Sequence, residues 1–290
     1  MPFTLSHAAA VLPALRIGGT GRAGLVPAVL VAGSFAPDMT YYAASVLSGA
    51  MEFGDVTHSV PGVLTVDVVI AWALVGVWLL LREPLVALLP ARLQPRPAAL
   101  LRCGAPRARV TPALAGRWYL SAVLGGLTHV VWDAFTHLDR WGMRLFPVLG
   151  EEVAGSPLYW YLQYGGSAVA AVVIAVFVSV ALRRARVAGP GSPVPGVPVL
   201  SVRDRWWAVL AVGGCAAVAA FQRASRWWEY WGATAKYWEL IPTLCFGAGA
   251  GLVVGLLLYG AAVRLWRPVP VPGSTGTGGT ERERSRPGVR

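Results

Sequence analysis

Six residues have the types and spacing to share a polar or metal site: His7, Asp38, His58, His129, Asp133 and His137. All four histidines fall in the first half of the chain. Three of the six come from one short run, GGLTHVVWDAFTH, in which positions 129, 133 and 137 step by four. On a 3.6-residue helix each such step drifts by only about 40°, so the three lie on one narrow face. An unbroken helix would still separate His129 from His137 by about 12 Å. Zinc–nitrogen bonds are about 2.1 Å, so one ion cannot take both histidines from a regular helix. Either the helix breaks near Phe135, or two ions bind with Asp133 between them, at the separation of about 3.5–4 Å found in two-metal hydrolytic sites. The plainer alternative gives each histidine an ordinary structural hydrogen bond. Clustering of six such groups among so few ionisable residues favours a common site.

Expensive surroundings sharpen that reading. Hydrophobic residues make up 56% of the 290 residues and charged residues only 13%, against about 25% in soluble domains. Runs long enough to cross a bilayer, which takes about 20 apolar residues, occur at 63–81, 118–134, 167–182, 206–221 and 241–263. The apolar region 25–47 is broken by Gly33-Ser34-Phe35-Ala36-Pro37-Asp38 and reads as two short helical pieces around a turn. The segment 6–17 is too short to cross alone. His129 and Asp133 then sit within a membrane run, where ionisable groups are costly and face a bundle interior or a wet cavity. Asp67 is a minor partner or an interfacial residue, Asp55 is solvated, and Glu229 and Glu239 pair with arginines or Lys236.

The fold class expected is all-α: a polytopic transmembrane helical bundle of about five to six segments with a broken or re-entrant N-terminal part. Residues 1–265 form one integral membrane domain, and 266–290 form a disordered basic cytoplasmic tail. The net charge of +11 is almost all arginine, since Lys236 is the only lysine. Seven arginines fall between Arg82 and Arg117 and five between Arg183 and Arg205, which orients these loops to the cytoplasm. Loops 138–158 and 222–240 concentrate Trp and Tyr, as outer interfacial belts do. The site residues then lie toward the outer face. This placement explains the basic charge through topology and anionic membrane lipids rather than nucleic acid. Arg140 and Arg144 are either phosphate-receiving groups or plain interfacial charges. Cys103, Cys215 and Cys245 follow no zinc or disulfide spacing and read as small buried apolar residues. The N-terminus lacks the basic segment of a cleaved signal peptide, so His7 is expected in the mature chain.

The segments MPFTLSHAAAVLP, GSFAPDMTYY, HSVPG, GGLTHVVWDAFTH and LYWYLQYGGS together resemble the bacterial membrane proteins grouped as domain of unknown function 4184, over roughly residues 1 to 265. That resemblance implies a multi-pass protein of the bacterial cytoplasmic membrane. The order His, Pro-Asp, His-Ser, HxxxD, His is also similar to membrane-bound metal-dependent hydrolases and to zinc-dependent phospholipase C and P1-type nucleases. The similarity implies His7, Asp38, His58, His129, Asp133 and His137 as ligands of a divalent metal, zinc foremost. The chain departs from the zinc enzymes in lacking an N-terminal Trp and a later HxxxE pair, which limits the site to one or two ions. The expected function is a metal-dependent hydrolase acting at the outer boundary, on lipid phosphoesters by its position. The alternative is a non-enzymatic transporter or assembly factor, with the His/Asp cluster as a proton relay or structural network.

Overall fold

The computed structural model describes residues 3–105, 109–138, 140–187, 194, 196–234 and 240–267. The expected tail, from 268 onward, lies outside the described residues, as do Lys236 and Glu239. The longer elements are α1 (Pro27–Phe35), α2 (Val66–Ala87), α3 (Pro112–Ala134), a hairpin of β1 (Glu152–Val153) and β2 (Ser156–Pro157), then α4 (Leu158–Arg184), α5 (Val202–Trp231) and α6 (Leu240–Trp266).

Local chemistry sets several of these boundaries. Pro112 opens α3, and the hydroxyl of Thr111 accepts from the Leu114 N–H at 3.2 Å. Proline at the first helical position loses a donor that has no partner there anyway. Ser201 and Asp204 form a reciprocal capping box at the start of α5. The hairpin turns through Ala154 and Gly155, both at positive φ. The broken region around residue 36 is a relay of short pieces: α1, a 3₁₀ turn Ala36–Asp38, and a helix Met39–Ala43.

Among the described residues, four helices, α2, α4, α5 and α6, are long and apolar enough to cross a membrane. In three of them, α4, α5 and α6, only 11–17% of the apolar stretch is buried within the protein. Val169, Val172, Val176, Val218, Phe221 and Leu258 are among the large side chains left exposed. Such continuous apolar surface is an aggregation liability in water and a solvation match in lipid. The 23 residues of α3 are also sufficient in length, but Arg117, His129 and Asp133 lower its hydropathy, and α3 is not among the four.

Two cores hold the chain together. The first joins α1, α2 and α3 through Val29, Ala32, Val63, Val68, Ala71, Ala122 and Val123. The second lies at the other end, where Val86, Ala87, Leu200, Ala208, Tyr259 and Val263 meet. Glu83 is buried there and pairs with Arg82 at 2.6 Å and Arg264 at 3.0 Å, while Arg205 donates to the Ala87 carbonyl at 3.2 Å. The basic ends of α2, α5 and α6 thus gather at one end of the bundle. Tyr41 and Ser45, at the opposite end, are tied to α5 by Arg223, which donates to the Tyr41 carbonyl at 2.8 Å and the Ser45 hydroxyl at 2.7 Å. The three cysteines are free and half-buried rather than fully buried.

Candidate metal centre

Close approach of α1 to α3 builds the site. A Cβ on Gly33 would collide with the Ala122 carbonyl oxygen, and one on Gly125 would collide with the Leu30 carbonyl oxygen. Glycine at these positions lets two backbones touch, as small residues do between membrane helices. The contact brings the Ser34 carbonyl within 2.8 Å of His129 Nδ1. From there the 3₁₀ turn Ala36–Asp38 delivers the Asp38 carboxylate to the same point. A third contribution comes from the segment Gly54–Thr57, after which His58 turns inward with its Nδ1 2.9 Å from the Gly54 carbonyl.

Asp38, His58, His129 and Asp133 are all buried, and one ligand atom of each lies within 4.8 Å of every other. Asp38 Oδ1 is 3.6 Å from His58 Nε2 and 3.4 Å from His129 Nε2. Asp133 Oδ2 is 3.6 Å from His58 Nε2 and 3.3 Å from His129 Nε2. A tetrahedron of ligands about 2.0–2.1 Å from a zinc ion has edges of about 3.3–3.4 Å. A protonated histidine bonded to a carboxylate would instead close to about 2.7–2.9 Å. Asp38 Oδ1, His58 Nε2 and His129 Nε2 have no hydrogen-bond partner among the described residues, although buried polar atoms nearly always find one.

Tautomers follow from the carbonyl partners. A carbonyl only accepts, so the Nδ1 atoms of His58 and His129 carry the ring protons. Their Nε2 lone pairs then face the common point, the orientation by which a backbone carbonyl prepares a histidine for metal. The second carboxylate oxygen of Asp38 accepts from Thr4 at 2.6 Å, and Tyr42 donates to Thr4 at 2.9 Å.

His7 and His137 take different places. His7 stacks on His129 with ring centroids 3.7 Å apart, and its Nε2 is 3.4 Å from Asp133 Oδ1. α3 stops at Ala134, and Phe135 caps it with its N–H bonded to the Trp132 carbonyl. This is the helix break that the spacing of His129 and His137 allowed. It turns His137 back until Nδ1 is 3.7 Å from Asp133 Oδ1 and 3.3 Å from the Asp133 carbonyl. Gln163 of α4 holds the other ring nitrogen at 3.0 Å. Asp133 is therefore shared, with Oδ2 facing the four-residue group and Oδ1 facing His7 and His137. Burial, with His129 alongside, lowers His7 to about 3, and burial lowers His137 to about 4. Both are neutral at neutral pH, the form in which imidazole binds metal or accepts a hydrogen bond.

Thr4, Ser34 and Gln163 lie in the segments that carry the family resemblance but have no role assigned from sequence, and Ser34 and Gly54 act through backbone carbonyls that any residue supplies. Asp67 is almost fully buried and neither carboxylate oxygen has a hydrogen-bond partner, but it is outside the four-residue group. Asp55 and Glu229 are exposed.

No curated protein and no solved structure matches the chain. A family model does match, over residues 1–261. That span takes in all six site residues and every helix that positions them. By this match the chain belongs to the family described as Domain of unknown function (DUF4184).

Proposed function

We propose that this protein is a membrane-embedded metal-dependent hydrolase whose ion is held by Asp38, His58, His129 and Asp133. The observation that carries the reading is three inward-facing buried atoms without hydrogen bonds among the described residues, Asp38 Oδ1, His58 Nε2 and His129 Nε2, with each histidine nitrogen 3.3–3.6 Å from Asp38 Oδ1 and Asp133 Oδ2, close to the edges of a coordination tetrahedron. Two imidazole nitrogens with two carboxylate oxygens suit zinc best among common divalent ions. With four protein ligands, the ion would have to take water as a fifth ligand; there it would lower the water's pKa to about 7 and so supply a nucleophile at neutral pH. His7 and His137 flank the outer oxygen of Asp133 at 3.4 and 3.7 Å, and Thr4, itself bonded by Tyr42, holds that of Asp38. The cavity beside His58 and Asp133 gives water a way in.

The substrate class we assign is a phosphoester. Water oxygen adds to phosphorus, the ester P–O bond breaks, one proton leaves with the alcohol and the other stays on the phosphate. A position at the outer membrane boundary, opposite the arginine-rich ends, puts lipid headgroups within reach. In this reading α3 is a fifth membrane segment that faces the bundle, and the broken N-terminal pieces enter partway from the outer side of a bacterial cytoplasmic membrane.

Purified protein in detergent should carry about one zinc per chain, as a four-ligand site does. A chelator should abolish hydrolysis of a short-chain phosphoester, and zinc should restore it. Zinc, manganese and iron equally negligible in the wild type and in a His129→Ala, Asp133→Ala double variant would remove the reading. Thr4→Val is expected to weaken zinc binding by about 10- to 100-fold, the range for residues that orient a ligand. Competition against a chromophoric chelator measures it, and an unchanged affinity would separate Thr4 from the site.

A further inference from the structure

Against the four-residue centre lies a cavity of about 160 Å³. Its lining includes His58 and Asp133 together with Arg140, Trp141 and Arg144. We infer that this cavity is an anion subsite that receives the phosphate group of the substrate, with Arg140 and Arg144 as its cationic side. The assignment of the bound phosphate as a reacting group rests on the hydrolase reading; the binding of an anion there does not.

Four features support it. Neither arginine forms an ion pair with a carboxylate among the described residues. A guanidinium presents donors in a planar fork that matches two phosphate oxygens. The cavity is well below the roughly 300–1,000 Å³ that encloses a drug-sized ligand. It has room for a phosphate group, so the rest of the molecule must project outward. The segment that bears the arginines is also held in place. Gly142 packs so closely on the Ala134 carbonyl that a Cβ would collide with it, and Trp141 meets the Phe135 ring edge-on at 5.3 Å. The helix break after Ala134 thus serves both ends of the site, returning His137 to Asp133 and bringing Arg140 and Arg144 around to face it.

Asp133 shares the cavity, and its negative charge opposes an anion unless a cation offsets it. Phosphate should accordingly bind more tightly in zinc-loaded protein than after chelation, and more weakly as salt rises.

Titration calorimetry on the full chain in detergent tests the assignment, with inorganic phosphate and dihexanoyl phosphatidic acid as the two probes. Metal content is measured on the same samples. The Arg140→Gln, Arg144→Gln double variant should bind both probes at least ten-fold more weakly with its zinc unchanged. Arg144→Gln alone, at an exposed position, covers the case in which the double variant fails to fold, and should weaken binding several-fold. Tighter binding of the lipid names a headgroup as the source of the phosphate, and tighter binding of the free ion names a soluble ester; both support the subsite. Wild-type affinity in the arginine variants overturns it, as does no phosphate binding by the wild type. Arginine-dependent binding in a protein that holds no metal keeps the subsite and removes the hydrolase. Bound zinc with arginine-independent phosphate binding does the reverse.

Discussion

Replacing Asp133 by Asn is expected to strip the protein of its metal, with affinity reduced by more than about 100-fold, beyond the range for ligand-orienting residues. The side chain keeps its volume but loses the charge that opposes the divalent ion. It also loses one of two oxygens that face different partners, Oδ2 toward His58 and His129 and Oδ1 toward His7 and His137. The metal-free fold should not suffer. An amide N–H placed where Oδ2 stands could donate to the Nε2 of His58 or His129, which has no hydrogen-bond partner among the described residues. Breaking a buried pair is costly when it leaves an uncompensated charge behind, and with neutral histidines around Asp133 no buried cation is left. The thermal midpoint measured in chelator should therefore be unchanged or higher in Asp133→Asn, while elemental analysis finds the zinc gone. Asp67→Asn is the control. It also neutralises a buried carboxylate in the first half of the chain, but outside the four-residue group, and its zinc should stay. Full zinc in Asp133→Asn, or equal loss in both variants, would sink the assignment of ligands.

The parts of the site legible in the sequence are those whose geometry is local. His129 and Asp133 stand one helical turn apart, and that spacing alone puts both on one face. The break after Ala134 was one of two solutions to the same spacing, and the choice between them was not legible. Phe135 is neither Gly nor Pro; the turn closes through a backbone bond from Phe135 and the Thr136 hydroxyl, both to the Trp132 carbonyl. Nor could the carbonyls of Ser34 and Gly54 be foreseen as the groups that set the histidine tautomers, because a backbone carbonyl has no sequence identity. Of the expected five to six membrane segments, four stand out by length and hydropathy among the described residues, for a related reason. The polar residues that make α3 interesting lower its hydropathy, so site and span compete for one signal. Asp67 looked like an interfacial or minor group, yet it is buried without a hydrogen-bond partner. Its burial comes from the packing of α2 at the first core, and no local pattern announces that.

Gly125→Ala is expected to weaken the fold and the metal site together. Its Cβ would overlap the Leu30 carbonyl oxygen and lie 2.7 Å from the Ser34 nitrogen, and both neighbours are backbone atoms that cannot rotate away. Ordinary contact begins at 3.4 Å, so α1 and α3 must separate by several tenths of an ångström at least. Overpacking of this kind costs about 1–3 kcal/mol in a core that can adjust, and a backbone-to-backbone contact leaves little to adjust. The same separation acts on the site, because the crossing holds the Ser34 carbonyl at 2.8 Å from His129 Nδ1 and aligns α1 with the turn that delivers Asp38. Ligand sets tolerate displacements of only about 0.5 Å before affinity falls. Thermal stability and zinc affinity should thus fall together in Gly125→Ala, unlike Asp133→Asn, which loses only zinc. Gly116→Ala, on the same helix with open space around its Cα, should gain up to about 1 kcal/mol from helix propensity and bind zinc as the wild type does. If Gly125→Ala melts and binds zinc like Gly116→Ala, the close crossing of α1 and α3 is not what positions the histidine.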